Sequence, residues 1–151
     1  MGYEVRLKHM RRQPTAEVEF EGRPDQLPSL FPAVFEEVAR YLGSHGIAFE
    51  GPAFAHFVPE GDAFEVEAGF IVPQPVEGEG RVVPGETPET DALTTVHIGP
   101  YGRLADAYEA IQAWAREHGG KLAEGMWELY YSGPETPPDQ MRTEVYWPLE
   151  A

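Results

Sequence analysis

The feature that most constrains the fold of this chain is an internal repeat. Aligning His45-Gly46 with His118-Gly119 superimposes the apolar stripe of one amphipathic stretch on that of another. The alternating stretches that follow also match, one ending at Phe70 to Pro73 and the other at Val145 to Pro148. Agreement of a helix, a hairpin and a terminal strand in the same order favours duplication over chance. Each half is therefore predicted to be a strand, a helix and a two-stranded hairpin.

The spacing of apolar residues predicts the elements of each half. Helical periodicity predicts one helix that begins at Leu30 and ends near residues 43–46, and another from about Gly102 to His118. Alternation with a period of two predicts the strands, which cover Tyr3 to His9, Ala16 to Glu21, Ala53 to Phe57, Phe64 to Val72, Leu93 to Ile98, Gly125 to Tyr131 and Met141 to Leu149. The first two strands are expected to pair with each other. Gln74 to Glu89, rich in Gly, Pro and Glu, is expected to be a long exposed connection between pseudo-repeats of about 1–76 and 90–151.

Two such units predict an α+β single domain over residues 1–151. Side by side they form one antiparallel sheet with both long helices on one face, because each hairpin must bury its apolar face against its own helix. The other face is then free as a ligand groove where the halves meet, and the repeat brings Phe54 and His56 opposite Glu128 and Tyr130. From the alternation, the free face is expected to carry Phe54, His56, Glu65, Glu67, Ile71, Glu128, Tyr130, Glu144 and Tyr146. This set is both aromatic and acidic, whereas a solvated sheet face typically carries Thr, Lys, Arg and Ser, so a pocket is favoured.

The stretch around Glu128 carries the main functional information. Trp127, Leu129 and Tyr131 make one apolar face of a strand, and Glu128 and Tyr130 lie on the other. Burying a carboxylate without a partner is costly. Glu128 is therefore either on a solvated sheet face or in a pocket built to meet a cation.

The charge and composition of the chain argue against several classes of partner. The chain has 26 acidic and 11 basic residues, which gives a net charge of −15. A surface this acidic repels the phosphate backbone of nucleic acids, and direct nucleic-acid binding is therefore not expected. The sequence has neither an apolar run long enough to span a membrane nor a signal peptide, so a cytoplasmic protein is expected. There is no cysteine, the histidines lack metal-ligand spacing, and no phosphate loop or nucleophile turn is present. No metal and no cofactor are therefore expected.

Two motifs resemble those of a known family. His97-Ile98-Gly99-Pro100-Tyr101, followed by an amphipathic helix with Trp114, is similar to its H-x-G-x-Y and W signature. Trp127-Glu128-Leu129-Tyr130, Pro134 and Thr143 to Pro148 are similar to its closing pattern of E-x-Y, P and T-E-I-x-x-P. These residues resemble the GyrI-like, AraC effector-binding domain family, which includes the Rob- and BmrR-like small-molecule-binding domains. The resemblance implies a duplicated strand–helix–strand–strand fold, in agreement with the repeat.

The same resemblance implies a function. Members of the family bind small molecules, often lipophilic cations, in a groove between the halves. The glutamate that neutralises the drug aligns with Glu128, and Glu144 matches a second common glutamate. Regulators of the family carry a DNA-binding helix-turn-helix before this domain, and because this chain begins directly with the first strand, it is expected to be a stand-alone member. Stand-alone members are small-molecule binders, a protein inhibitor of DNA gyrase, or hydrolases of cyclopropane-bearing, DNA-alkylating toxins.

Three functional hypotheses follow. The first is a monomer or homodimer that sequesters or senses an aromatic or lipophilic compound, often cationic. Its predicted ligand-binding residues are Glu128, Tyr130, Glu144, Tyr146, Phe54, His56, Glu67, Ile71, Tyr101, Trp127 and Trp147. The second is a hydrolase of strained electrophiles that uses Glu128 and Glu144 as its acid–base pair, with Glu128 as general base on water and Glu144, or alternatively a tyrosine hydroxyl, protonating the leaving oxygen. The third is a protein-binding module similar to the gyrase inhibitor, working through its acidic surface. In all three, His97 is expected to make a structural hydrogen bond near the turn that follows it.

Overall fold

The computed structural model describes residues 3–48, 52–132 and 135–150, and Pro134 of the closing motif lies outside them. The chain forms two units. The N-terminal unit is Arg11–Glu89, and the C-terminal unit combines Met1–Met10 with Thr90–Ala151. In chain order the elements are β1 (Arg6–Met10), β2 (Pro14–Gly22), α1 (Leu27–Ser44), β3 (Ala53–Glu60), β4 (Ala63–Ile71), β5 (Val82–Glu86), β6 (Thr90–Ile98), α2 (Leu104–His118), β7 (Met126–Tyr130) and β8 (Arg142–Pro148).

The N-terminal unit is an antiparallel sheet in the order β3-β4-β2-β5, with α1 packed on one face. Aromatic residues on the apolar stripe of α1 make this contact. Phe31 lies edge-on to Phe20 and Phe57, and Phe35 lies edge-on to Phe70, with ring centroids 5.8 to 5.9 Å apart. Edge-to-face pairs of this kind add to the stabilisation that comes from burial of the rings.

The C-terminal unit is an antiparallel sheet in the order β1-β6-β8-β7, with α2 packed on one face. The core between this helix and its sheet is formed by Leu93, Leu104, Ala107, Ile111, Ala115, Val145 and Trp147. A single 3₁₀ turn, Tyr101–Arg103, precedes α2. Gly119 ends the helix with a positive φ of 74°, a conformation that glycine adopts without strain.

Each unit has the same topology, which confirms the predicted α+β fold of duplicated strand–helix–strand–strand modules. In the N-terminal unit the module is β2, α1, β3 and β4, and in the C-terminal unit it is β6, α2, β7 and β8. The second strand of each hairpin lies between its hairpin partner and the first strand of the module. A further strand extends each sheet, β5 beside β2 and β1 beside β6. None of the helices among the described residues combines the length and hydropathy needed to cross a lipid bilayer.

The prediction that the first two strands pair with each other is wrong. β1 pairs with β6, so the N-terminal strand belongs to the C-terminal unit. β2 pairs instead with β4 and β5. Alternation identifies a segment as a strand, but its partner is set by contacts far away in the chain.

The segment predicted as a long exposed connection is packed against the N-terminal unit. Val76 and Val82 are buried, and Val82 begins β5, which pairs with β2. The backbone N–H of Gly78 donates to the hydroxyl of Tyr41 on α1 at 3.0 Å. Gly, Pro and Glu are common in exposed loops, but here the valines between them supply the buried contacts.

Candidate functional site

Glu128 lies on the sheet face that α2 covers. In the register of β7 and β8, Glu128 is opposite Val145, and Val145 belongs to the core that packs against α2. The prediction that Glu128 and Tyr130 lie on an open sheet face is therefore wrong. The predicted match of Phe54 with Glu128 is one residue out of register, because Phe54 lies on the face of its sheet away from α1. A slip of one residue exchanges the two faces of a strand.

Two tyrosine hydroxyls hold the buried Glu128 carboxylate. Tyr130, two residues along β7, donates to Oε1 at 2.7 Å, and Tyr108 on α2 donates to Oε2. The ring of Tyr108 lies edge-on to Trp147, with centroids 5.8 Å apart, so packing of the helix delivers its hydroxyl to the carboxylate. The predicted site does not include Tyr108. Its place on the helix stripe, above a strand that buries a carboxylate, is the sequence feature that could have identified it.

Burial is the main influence on protonation in this group. Burial raises the pKa of Glu128, whereas the hydrogen bonds from the two tyrosines lower it. Burial and the neighbouring Glu128 charge raise the pKa of both Tyr108 and Tyr130, so both hydroxyls stay protonated and remain donors. In the described part of the chain, no lysine or arginine forms an ion pair with Glu128. The carboxylate is therefore satisfied by hydroxyl donors rather than by a basic side chain.

Tyr101 is the exposed member of this aromatic group. Its ring lies edge-on to Tyr130 with centroids 5.6 Å apart, and 42% of the residue is exposed. His97 anchors the turn that carries it: Nε2 donates to the Pro100 carbonyl oxygen, and Nδ1 accepts from the Tyr3 hydroxyl, each at 2.9 Å. These contacts assign the ring proton to Nε2. The expected structural hydrogen bond of His97 is confirmed. The set of Glu128, Tyr101, Tyr108 and Tyr130 is called the Glu128 cluster below.

Glu144 and Tyr146 lie on the opposite face of the same sheet from Glu128. Adjacent residues on β8 alternate, and Glu144 is next to Val145, which faces α2. The Glu144 carboxylate accepts a hydrogen bond from the Tyr146 hydroxyl at 2.8 Å and pairs with Arg142 at 2.8 Å. The predicted acid–base pair of Glu128 and Glu144 is therefore wrong, because the sheet separates the two carboxylates.

The other residues predicted in this unit divide between the same two faces. Trp127 is opposite Tyr146 in the register and lies on the face of Glu144, whereas Trp147 lies in the core under α2. A cavity of about 420 Å³ opens on the Glu144 face. It is lined by Glu4, Arg6, Lys8, Thr94, Thr95, Val96, Arg142, Glu144 and Tyr146. The structure thus brings Tyr101, Tyr130 and Glu128 together and places Glu144 and Tyr146 at a separate surface.

The four predicted ligand residues of the N-terminal unit share the sheet face away from α1. Phe54 and Ile71 are buried, and His56 Nδ1 lies 2.9 Å from Glu67 Oε1. A cavity of about 460 Å³ on this face is lined by Glu19, Phe20, Glu21, His56, Val58, Glu65, Val66 and Glu67. Carboxylate oxygens of Glu17, Glu19 and Glu67 lie within 4.8 Å of one another, a spacing at which carboxylates can share a cation. Glu17, which the predicted site lacks, is buried and accepts a hydrogen bond from the Thr15 hydroxyl.

Comparison with known proteins agrees with this fold. The C-terminal domain of EcmrR is 21% identical with a TM-score of 0.85, and the match covers 99% of each chain. A hydrolase from Listeria innocua is 15% identical with a TM-score of 0.68, over 99% of this chain and 93% of that one. SAV2435 bound to tetraphenylphosphonium is 10% identical with a TM-score of 0.68, over 97% of this chain and 94% of that one. No curated protein sequence matches the chain. The family described as the GyrI-like small molecule binding domain matches residues 3–150, and the chain belongs to this family.

Proposed function

We propose that this chain binds a small aromatic or lipophilic cation and that Glu128 holds the positive charge. The observation that carries the proposal is the Glu128 cluster, in which a buried carboxylate is surrounded by tyrosines. The family to which the chain belongs consists of small-molecule-binding domains. Sequestering or sensing such a compound is the role that we propose for the chain.

A cation gains more at this carboxylate than at one on the surface. Glu128 is 7% exposed, so water screens its charge weakly. The rings of Tyr101 and Tyr130 offer cation–π attraction of about 0.5–2 kcal/mol each. Because burial raises the pKa of Glu128 and a bound cation favours its ionised form, binding should release a proton at pH values where free Glu128 is protonated. Affinity for the cation should therefore increase as pH rises through the pKa of free Glu128.

The solved structures of the same fold bear on the class of ligand. SAV2435 holds tetraphenylphosphonium, which is a lipophilic aromatic cation, and this supports a ligand of that class here. Hydrolysis by Glu128 and Glu144 acting together is not proposed, because the two carboxylates lie on opposite faces of the sheet.

Titration with tetraphenylphosphonium tests the proposal, with Glu128→Gln as the test variant and Glu144→Gln as the matched control. Removing one partner of a buried charge pair costs about 2–5 kcal/mol, so Glu128→Gln should weaken binding roughly 30-fold or more. Glu144→Gln should bind as the wild type does, since Glu144 is on the other face and paired with Arg142. Trp147, in contact with Tyr108, supplies a fluorescence signal, and calorimetry supplies the affinity.

Two results would count against the proposal. If Glu128→Gln binds the cation as tightly as the wild type, the charge of Glu128 is not used. If Glu144→Gln loses binding instead, the ligand occupies the opposite face of the sheet.

A further inference from the structure

Thr143 has a buried hydroxyl with no hydrogen-bond partner among the described residues. The residue lies in β8 and is fully buried. Like Val145 two residues later, it faces α2. Its register partners are His97 on β6 and Tyr130 on β7. Thr143 is therefore directly beside the tyrosine that donates to Glu128.

An unpaired hydroxyl at this position is unfavourable in the absence of a ligand. Burying a hydroxyl without a hydrogen bond costs free energy, and valine has the same shape without that cost. Neither register partner bonds the group: the Tyr130 hydroxyl is directed to Glu128, and both His97 ring nitrogens are bonded to other residues. Thr95, a buried threonine on β6, shows the usual arrangement, since its hydroxyl donates to the Glu4 carbonyl oxygen at 2.9 Å.

We propose that the Thr143 hydroxyl is a second polar contact of the ligand, so the ligand carries a hydrogen-bonding group as well as its positive charge. This inference rests on the proposed binding of a cation at Glu128. Glu128 and Thr143 are diagonal neighbours on adjacent strands, a relation in which residue positions lie roughly 7–8 Å apart and their Cβ atoms somewhat closer. That separation suits a hydroxyl or carbonyl group about one aromatic ring away from the charge.

Access to Thr143 requires a side chain to move, because the residue has no exposed surface. Tyr130 is the side chain that is next to both polar groups, as the donor to Glu128 and the register partner of Thr143. Tyr101, the exposed ring, packs against it. A ligand that displaces the Tyr130 ring reaches the carboxylate and the hydroxyl together.

A pair of cations that differ by one hydroxyl tests the inference. The probes are tetraphenylphosphonium and (3-hydroxyphenyl)triphenylphosphonium, titrated into the wild type, Thr143→Val and Thr143→Ser. One net hydrogen bond should give the wild type roughly fivefold tighter binding of the hydroxyl-bearing cation. Thr143→Val should bind both cations equally, and Thr143→Ser, which keeps the hydroxyl, should retain the preference.

Thermal unfolding without ligand supplies an independent measurement, with Thr95→Val as the control. Thr143→Val should raise the melting temperature by roughly 2–4 °C, since it removes an unpaired buried hydroxyl. Thr95→Val should lower it, because that hydroxyl has a partner. If Thr143→Val lowers the melting temperature as Thr95→Val does, the hydroxyl is already satisfied in the free protein and the inference fails.

The titration separates failure of this inference from failure of the proposed function. An unchanged preference in Thr143→Val, with Glu128→Gln still deficient in binding, overturns the role of Thr143 alone. Absence of binding of either cation to the wild type overturns the proposed function and this inference with it.

Discussion

Glu128 and Glu17 show two ways in which this chain accommodates a buried carboxyl group. Glu128 accepts hydrogen bonds from tyrosines on both oxygens, as described above. Glu17 is 4% exposed, and burial raises its pKa to about 7, despite the hydrogen bond from Thr15. The hydrogen bond from His56 lowers the pKa of nearby Glu67. Below about pH 7 the proton therefore resides on Glu17 and the charge on Glu67.

The pKa of Glu17 makes the stability of the chain depend on pH. Between the ordinary glutamate pKa of 4.5 and about 7, folded Glu17 holds a proton that the unfolded chain has released. The contribution of Glu17 to the free energy of unfolding is thus complete below pH 4.5 and is lost as pH rises through about 7. Replacing Glu17 by glutamine should remove this part of the pH dependence.

Denaturant unfolding at pH 5 and pH 8 measures the effect. The wild type should lose more stability between the two values than Glu17→Gln does. Glu21→Gln, at an exposed position on the same strand and face, should follow the wild type. Parallel pH profiles for the wild type and Glu17→Gln would contradict the assignment of the proton to Glu17.

At the scale of the elements, local pattern predicted helices and strands better than it predicted their partners. An amphipathic stripe is a property of one segment: it predicted the end of α1 near residues 43–46 and that of α2 at His118, and the two helices end at Ser44 and His118. Pairing is not local: β1 and β2 both alternate and follow each other in the chain, yet each pairs elsewhere. The strand β5 was missed because its short, proline-containing sequence has the composition of a loop.

The same limit explains why the site was predicted only in part. Alternation shows that Glu128 and Trp127 face opposite ways, but it does not show which face a helix will cover. The apolar face was expected to be the covered one, and instead α2 covers the face of Glu128, where Tyr108 supplies a donor. Glu144 resembles Glu128 in sequence context, yet it belongs to the other face.

Gly69 tests the register on which the faces of the N-terminal sheet depend. A Cβ at Gly69 would overlap the Ala16 carbonyl oxygen and lie 2.8 Å from the Glu17 Cα, both on the adjacent strand β2. The backbone of a paired strand cannot move aside, so Gly69→Ala should destabilise the chain by about 1–3 kcal/mol or more. Denaturant unfolding provides the measurement.

Gly43 on α1 is the control for that substitution. A Cβ there meets nothing within 4 Å, and alanine is favoured over glycine in a helix, so Gly43→Ala should stabilise by about 0.5–1 kcal/mol. Equal effects of the two substitutions would show that the close approach of β2 to β4 at Gly69 is not present.

For the whole molecule, the excess of 15 negative charges is itself a source of cation attraction. The surface ion pairs are largely exposed, and pairs of this kind contribute little to stability. The net charge has two consequences that do not involve any pocket: it destabilises the folded chain through self-repulsion, and it concentrates cations at the surface. Binding of a cation is therefore evidence for the Glu128 cluster only when surface attraction has been removed.

Salt separates the two sources of attraction, because the screening length falls from about 10 Å at 0.1 M to about 3 Å at 1 M ionic strength. Attraction to the exposed acidic surface should disappear at 1 M sodium chloride, whereas the buried Glu128 is screened much less. The wild type should therefore lose less than about tenfold in affinity for tetraphenylphosphonium between 0.05 and 1 M salt, a difference under about 1.4 kcal/mol. Any residual binding of the cation by Glu128→Gln at low salt should vanish at high salt. The melting temperatures of the wild type and of Glu128→Gln should both rise with salt, because the repulsion among the negative charges of the folded chain is screened. If the wild type loses its binding in step with Glu128→Gln, the acidic surface rather than the Glu128 cluster attracts the cation.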